Sequence, residues 1–165
     1  PNMDGFELLK NLKNSDKYKN IPVIMITSRT ADKHKNYAFE LGVNGFLGKP
    51  YQEEELLEKI NELLENKSVD AILAVNELFA VTAIKLAMAK GIKIPEDLSV
   101  VAFTDGIISK YSTPTITTIS QNGIKMGRKA AEMLIKRLEL EDEEDEHYKT
   151  EIIETNLIIR ESTKS

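Results

Sequence analysis

Polar side chains able to hydrogen-bond a ligand follow the apolar runs of this sequence, at the points where strands would end. They are Thr27, Ser28, Asn76 and Asp105. Open α/β sheets bind ligands beyond the carboxyl ends of their strands, and helix N-termini close to such ends can hold sulfate or phosphate. The pattern therefore predicts weak binding of a small molecule or an anion at these strand ends. The alternative is a hydrated edge without a specific ligand.

The sequence lacks the residues and motifs that other kinds of functional site need. The sequence contains no cysteine, which excludes disulfides, thiolate zinc sites and a cysteine nucleophile. The two histidines, His34 and His147, lack metal-ligand spacing. The sequence has no P-loop, no dinucleotide-binding glycine pattern and no G-x-S-x-G motif. We therefore expect no metal, no cofactor and no enzymatic activity.

Length, charge and hydropathy narrow the class of protein further. A chain of 165 residues is sufficient for one ordinary domain, and we expect a single domain over residues 1–165. The net charge of −5 disfavours binding to the phosphate backbone of nucleic acids. No apolar stretch approaches the roughly 20 residues that span a bilayer, and no signal peptide is visible. We expect a cytoplasmic protein, as expressed recombinantly, with no nucleic-acid or membrane partner.

Strands and helices alternate along the chain. Apolar runs predict strands over residues 21–26, 43–47, 71–75, 99–103 and 116–119, with a last strand over 151–160. Apolar residues at helical spacing predict helices over 4–13, 31–41, 52–65, 77–90 and 124–140. Such alternation implies right-handed crossovers. It predicts a flavodoxin-like, doubly wound α/β fold with a mainly parallel five-stranded sheet in the order 2-1-3-4-5, helices on both faces, and a C-terminal helix with an extra strand.

Three short motifs in the first part of the chain together resemble those of a known protein family. They are Pro1-Asn2-Met3-Asp4-Gly5, Ile21-Pro22-Val23-Ile24-Met25-Ile26-Thr27-Ser28 and Gly45-Phe46-Leu47-Gly48-Lys49-Pro50. Residues 1–64 resemble the second half of a response-regulator receiver domain. The resemblance implies that Thr27 contacts a phosphoryl group, that Lys49 pairs with phosphate and that the Lys49–Pro50 bond is cis. The family's phospho-acceptor and metal-binding acids lie upstream of the matched segment, so receiver-type phosphorylation is not expected.

Motifs in the remaining part of the chain resemble those of a second protein family. They include Asp70-Ala71-Ile72-Leu73-Ala74-Val75-Asn76, Ser99-Val100-Val101-Ala102-Phe103 and Leu157-Ile158-Ile159-Arg160-Glu161-Ser162. Residues 65–165 resemble the C-terminal part of a lactose-repressor-type effector-binding domain, of the periplasmic-binding-protein-like class. The resemblance implies effector contacts at Asn76, Thr104 and Asp105, although Thr104 stands where an aspartate is common. The opposite lobe and the DNA-reading headpiece are not in the matched segment, so we expect at most weak sugar or phosphate binding.

The two resemblances meet near residue 65. Their junction predicts an engineered chimera, an α/β scaffold built from fragments of two related folds and without a native function. Two alternatives stay open. One is residual small-molecule or anion binding at the carboxyl ends of the strands. The other is a fragment of a natural two-component or sugar-responsive signalling protein.

The C-terminal helix predicted over 124–140 carries an apolar side. Its members are Ile124, Ala131, Leu134, Ile135 and Leu138, and helical spacing predicts that they face inward. The resemblance implies that this helix packs on a lobe that is not in the matched segment. We therefore expect a homodimer through the C-terminal helix or strand. The acidic run over 139–146 is expected to be a solvated turn.

Overall fold

The computed structural model describes residues 3–65, 69–139 and 149–164. The chain divides into two compact units, Pro1–Lys67 and Ser68–Ser165, and each is described by itself. The acidic run beyond Glu139 and His147 lie outside the described residues. No helix in the described part of the chain is both long enough and apolar enough to cross a membrane.

The first unit alternates helices with two short strands. In chain order these are α1 (Gly5–Asn14), β1 (Ile24–Thr27), α2 (Asp32–Glu40), β2 (Gly45–Gly48) and α3 (Glu53–Glu65). The strands β1 and β2 pair in parallel, with Ile24 opposite Gly45 and Thr27 opposite Gly48. Helix α1 begins where expected because Asp4 forms a capping box with Glu7.

The core of the first unit is small. Leu9 of α1, Ala38 of α2 and Val43 are buried together, with Phe6 and Met25 packed against them. Helix α2 is followed by Gly42, whose φ of +88° is left-handed, a conformation that glycine adopts at no steric cost. The helix predicted over 31–41 is confirmed, and it ends at Glu40.

The second unit contains four strands in one sheet. Its elements are β3 (Ala71–Ala74), α4 (Glu77–Ala89), β4 (Ser99–Phe103), α5 (Ile107–Tyr111), β5 (Thr117–Ser120), α6 (Gly123–Leu138) and β6 (Asn156–Ile158). The sheet order is β3-β4-β5-β6, with β6 antiparallel to β5 and the other pairs parallel. Helix α4 packs on β3 and β4. The core lies between them, at Ala80, Ala83, Val100 and Ala102.

The predicted α/β fold with parallel strands is confirmed, and so are the expected neighbours within each sheet. The described strands form a two-stranded sheet in the first unit and a four-stranded sheet in the second. The joining of these strands into one five-stranded sheet in the order 2-1-3-4-5 stays a prediction. The single domain over 1–165 stays a prediction.

Two expectations differ from the structure. Helix α5 was not predicted, because its five residues are too few to show helical periodicity. The last strand, expected over 151–160, is limited to the three residues of β6. Ile152 and Ile159, which suggested the longer strand, are exposed. An apolar composition therefore overestimated the length of this strand.

The apolar side of α6 faces outward, so the expectation that it faces inward is wrong. Ile124, Leu134 and Leu138 are between 59% and 85% exposed. The half-buried residues of α6 are Lys129 and Met133, on the opposite side of the helix. Helical spacing identifies an apolar side but not the surface that covers it.

The C-terminal segment ties β4 to β5 through Ser162. The Ser162 hydroxyl donates to the carbonyl of Val100 and accepts from the backbone N–H of Thr117, 2.8 Å away. The backbone of Ser162 also accepts from the N–H of Val100 and donates to the carbonyl of Thr115. Ser162 is fully buried, so these contacts are shielded from water.

Replacing Ser162 by alanine should destabilise the protein. Ser162→Ala leaves the Val100 carbonyl and the Thr117 N–H without their buried partner, which costs about 1–3 kcal/mol. Urea denaturation should show a lower midpoint for Ser162→Ala. The same change at exposed Ser28 is the matched control. Equal midpoints for the two variants would show that the Ser162 hydroxyl does not contribute.

Candidate functional site

Asn76 lies just beyond β3 and begins α4. Its Oδ1 accepts the backbone N–H of Phe79 at 2.9 Å, which caps the helix. The side chain is half-buried. Because the oxygen serves the helix, the two amide N–H donors are the groups that Asn76 can offer to a ligand.

Asp105 lies two residues beyond β4 and forms an ion pair with Arg160, which comes from a distant part of the chain. Its Oδ1 is 2.6 Å from a guanidinium nitrogen of Arg160 and 2.9 Å from the hydroxyl of Thr118. Lys110 lies near its other oxygen, with Nζ at 3.6 Å. The side chains of Asp105 and Arg160 are only 12% and 16% exposed. A pair this well covered needs every one of these contacts, because an unpaired buried charge is costly.

The pKa of Asp105 reflects the same contacts. Burial raises this pKa. The hydrogen bonds from Arg160 and Thr118 and the positive charge of Arg160 lower it, and their combined effect is the larger one. The pKa of Asp105 therefore lies below its usual value, and the carboxylate is charged at neutral pH.

Arg160 joins Asp105 to the backbone of the sheet. Its other guanidinium nitrogen donates to the carbonyl of Ile116 at 2.7 Å and lies 3.0 Å from the Thr118 hydroxyl. Arg160 is not among the site residues expected from the sequence, although it is a charged residue directly after the apolar run 157–159. A charge at the end of such a run needs a buried partner or solvent.

Glu77 connects the two loops that carry the candidate ligand residues. Its Oε1 accepts the backbone N–H of Gly106 at 2.8 Å and that of Ser109 at 2.9 Å. Gly106 begins α5 and has no side chain to cap it, so Glu77 of α4 performs the capping. A Cβ at Gly106 would overlap the Glu77 carboxylate, which explains the glycine. Asn76 and Asp105 are thereby held in neighbouring, cross-linked loops.

The charge of Glu77 is maintained by these bonds. Burial raises its pKa, and the hydrogen bonds from Ser109 and from the backbone of Gly106 lower it to below its usual value. The strand-end cluster of the second unit, comprising Asn76, Glu77, Asp105, Lys110 and Arg160, thus contains two carboxylates and two cations. Its formal charges cancel.

Thr104 and the first-unit residues complete the predicted set. Thr104 is half-buried between β4 and Asp105. In the first unit, the hydroxyl of Thr27 accepts the backbone N–H of Arg29 at 3.1 Å, and Ser28 is exposed. The backbone of Lys49 donates to the carbonyl of Thr27 at 2.7 Å, and the Lys49–Pro50 bond is cis.

The structure therefore brings together Thr27 with Lys49, and Asn76 with Asp105, each pair within its own unit. In the described ranges 3–65, 69–139 and 149–164, no group of three or more His, Cys, Asp and Glu side chains could hold a metal ion.

The sequence profile of a family described as periplasmic binding protein-like domain matches residues 18–163. The chain belongs to this family. The repressor PurR of Haemophilus influenzae is 34% identical over 116 residues, covering 70% of this chain and 34% of PurR. The regulator CelR of Thermobifida fusca is 33% identical over 104 residues, or 62% of this chain and 30% of CelR. The chain spans about a third of the length of these curated relatives.

Solved structures of periplasmic-binding-protein-like regulators share the fold. A LacI family transcriptional regulator from Bifidobacterium animalis aligns with a TM-score of 0.61 at 28% identity, over 86% of this chain and 55% of its own. The complex of the regulator CelR with cellobiose aligns at 0.58 over 93% of this chain and 49% of its own, and its 22% identity shows the fold alone.

These relatives overturn the expectation of a chimera. One family covers residues 18–163, across the point near residue 65 where two ancestries were expected to meet. The receiver resemblance of residues 1–64 finds no support, and the engineered scaffold without native function is wrong, because the relatives are transcriptional regulators. A strand-end hydroxyl and a Lys-Pro turn after the next strand are short features that parallel α/β sheets can share, which explains the misassignment.

Acid should weaken the strand-end cluster in a defined direction. The folded pKa values of Asp105 and Glu77 lie below their usual values of about 4. Stability from the charged forms is therefore full above the unfolded pKa and is lost as pH falls through the folded pKa. We expect the free energy of unfolding to decline below about pH 4, and Asp105→Asn to reduce that decline.

The neutral variant also has a cost at neutral pH. Asp105→Asn leaves Arg160 without its countercharge, which should destabilise the protein by about 2 kcal/mol. Asp16→Asn, at a side chain that is 98% exposed, is the matched control for urea titrations over a pH series. Identical pH profiles for wild type and Asp105→Asn would contradict the role given to this ion pair.

Proposed function

We propose that this chain is part of the effector-binding region of a transcriptional regulator and that it binds a small neutral polyhydroxyl molecule, of the sugar class. The proposed contacts are Asn76, Thr104 and Asp105, at the carboxyl ends of β3 and β4. Family membership supports a regulatory role. The charge-balanced cluster beside Asn76 is the observation that supports a neutral ligand.

The cluster favours a neutral ligand over an anion. The negative charges of Glu77 and Asp105 are offset by Arg160 and Lys110, so no net positive charge remains to attract phosphate. Sugar hydroxyls can accept hydrogen bonds from the Asn76 amide and donate to carboxylate oxygens. The CelR relative was solved with cellobiose, which is a neutral sugar.

A site built from strand ends on one sheet gives weak affinity. Pockets that bind small molecules tightly bury most of the ligand surface. Contacts from Asn76, Thr104 and Asp105 alone leave much of a sugar in water. We expect dissociation constants in the millimolar range, which correspond to about −4 kcal/mol.

We assign no catalytic role to the cluster, because each carboxylate accepts hydrogen bonds that fix it as a structural anion. We also propose that this chain does not bind DNA, since its net charge of −5 opposes contact with phosphates. Recognition of DNA by the relatives named HTH-type is a property of those longer proteins.

Replacement of Asn76 by aspartate separates ligand binding from folding. Asn76→Asp keeps an oxygen that caps α4 but removes both amide donors. In amide NMR titrations with cellobiose, maltose, ribose and inorganic phosphate, we expect a sugar to shift the signals of Asn76, Thr104 and Asp105 in the wild type. Those shifts should be at least several-fold weaker in Asn76→Asp.

The matched control is Asn156→Asp, at an exposed position on β6. It should respond to the sugar as the wild type does. Stronger shifts with phosphate than with any sugar would contradict a neutral ligand. An absence of shifts at the three residues with all four compounds would remove the proposed site.

A further inference from the structure

Two asparagines of this chain are followed directly by glycine, Asn44 by Gly45 and Asn122 by Gly123. In such a pair the backbone nitrogen of the glycine can attack the side-chain carbonyl carbon of the asparagine, because glycine has no Cβ to obstruct the approach. The two pairs have the same sequence and therefore a similar intrinsic reactivity. Any difference between them in the folded chain comes from the structure around each pair.

The Asn44–Gly45 pair is fixed at the start of β2. The Oδ1 atom of Asn44 accepts the backbone N–H of Val23 at 2.9 Å and lies 3.3 Å from Nζ of Lys13. The backbone N–H groups of Asn44 and Gly45 both donate to the carbonyl of Val23. Gly45 is buried and pairs with Ile24 of β1. Its nitrogen therefore cannot turn toward the Asn44 side chain without breaking the strand pairing.

The Asn122–Gly123 pair lies where β5 leads into α6, and its bonds leave the attacking nitrogen free. Gly123 is the first residue of α6, so its N–H has no acceptor within the helix. The Asn122 side chain forms no capping bond to the helix. Its Nδ2 donates to the carbonyl of Glu154 at 2.8 Å, and this exposed bond must break before the side chain can turn.

We propose that Asn122 is a site of spontaneous covalent modification, at which deamidation converts it to aspartate and isoaspartate. The Gly123 nitrogen forms a bond to Cγ of Asn122, and the bond from Cγ to Nδ2 breaks. Nδ2 leaves as ammonia and takes up the proton that the Gly123 nitrogen loses. Water then opens the five-membered imide. Cleavage at Cγ gives aspartate, and cleavage at the backbone carbonyl carbon gives isoaspartate, whose backbone runs through Cγ.

The backbone of Asn122 favours this reaction. Its φ of +54° is left-handed, and no other non-glycine residue in the described part of the chain has a positive φ. That conformation is unfavourable because Cβ crowds the carbonyl oxygen, and the rerouted backbone of isoaspartate does not have this crowding. Ring closure also rotates the Asn122 carbonyl away from the N–H of Met126, which bonds to it at 3.0 Å in the first turn of α6. Helix ends fray, so this bond opens readily.

The modification should loosen the C-terminal segment. A carboxylate at position 122 has no N–H to donate to the Glu154 carbonyl, so repulsion between two oxygens replaces the 2.8 Å bond. That bond joins the start of α6 to the residues that lead into β6. Isoaspartate in addition lengthens the backbone between β5 and α6. The chain therefore carries a site at which covalent ageing alters the packing of its C-terminal segment.

Incubation of the folded chain in mildly alkaline buffer, followed by trypsin digestion and mass spectrometry, tests the proposal. Asn122 and Asn44 fall in different tryptic peptides, 111–125 and 36–59. Deamidation at Asn122 should be several-fold faster than at Asn44, with isoaspartate as a separate chromatographic peak. In denaturant the two sites should react at similar rates, because the protection of Asn44 depends on folding.

Alanine in place of either of two glycines gives a matched pair of variants. Gly123→Ala should slow the reaction at Asn122 several-fold, because the added Cβ obstructs the attacking nitrogen. Gly127→Ala, on the same helix, should react at the wild-type rate. A Cβ at either position meets nothing within 4 Å, so both variants keep the fold. Asn122→Asp carries the product charge on an unaltered backbone and should shift the amide NMR signals of residues 153–155.

The proposal would be overturned by equal rates at Asn44 and Asn122 in the folded chain, since the structure would then not select the site. It would also be overturned by an unreactive Asn122 in a folded chain that deamidates at both sites in denaturant. Equal slowing by Gly123→Ala and Gly127→Ala would attribute the effect to helix stability and would exclude direct attack by the Gly123 nitrogen. Unchanged signals at residues 153–155 in Asn122→Asp would contradict the link to the C-terminal segment.

Discussion

The ion pair between Asp105 and Arg160 is the contact on which the strand ends of the second unit depend. It joins the loop after β4 to the segment after β6, and the Thr118 hydroxyl of β5 bonds to both partners. Both charges are largely covered, so each is tolerable only while the other is present. Together with the buried bonds of Ser162, this pair holds the C-terminal segment on the sheet, and it supplies one negative and one positive charge of the strand-end cluster.

Local patterns in the sequence located much of the fold. The strand over 99–103 has the predicted bounds, because an apolar run of that length between polar residues has few other interpretations. Helix α4 begins at Glu77 because Asn76 is a good cap, which is also a local property. Helix α5 was not predictable because five residues are too few to show helical periodicity. The outward side of α6 was not predictable because it depends on surfaces that come together from distant parts of the chain.

Some residues of the candidate site were likewise identifiable from the sequence, and others were not. Asn76 and Asp105 were identifiable as polar residues at strand ends, whereas Glu77 and Arg160 were not. Glu77 bonds to residues 29 and 32 positions away, and Arg160 to one 55 positions away. No spacing rule connects residues so far apart. The assignment of residues 1–64 to a receiver failed for the complementary reason: its motifs were local, and local motifs recur in unrelated families that share parallel sheets.

The Glu77 carboxylate has a consequence for how such a protein can vary. One oxygen atom holds the backbone at both Gly106 and Ser109, so the turn after β4 is shaped by a residue of the preceding helix. Grafting that turn from a homologous repressor would succeed only if position 77 were exchanged with it. Position 77 and the turn after β4 would therefore have to change together during evolution, because replacing either one alone would break the two bonds that join them.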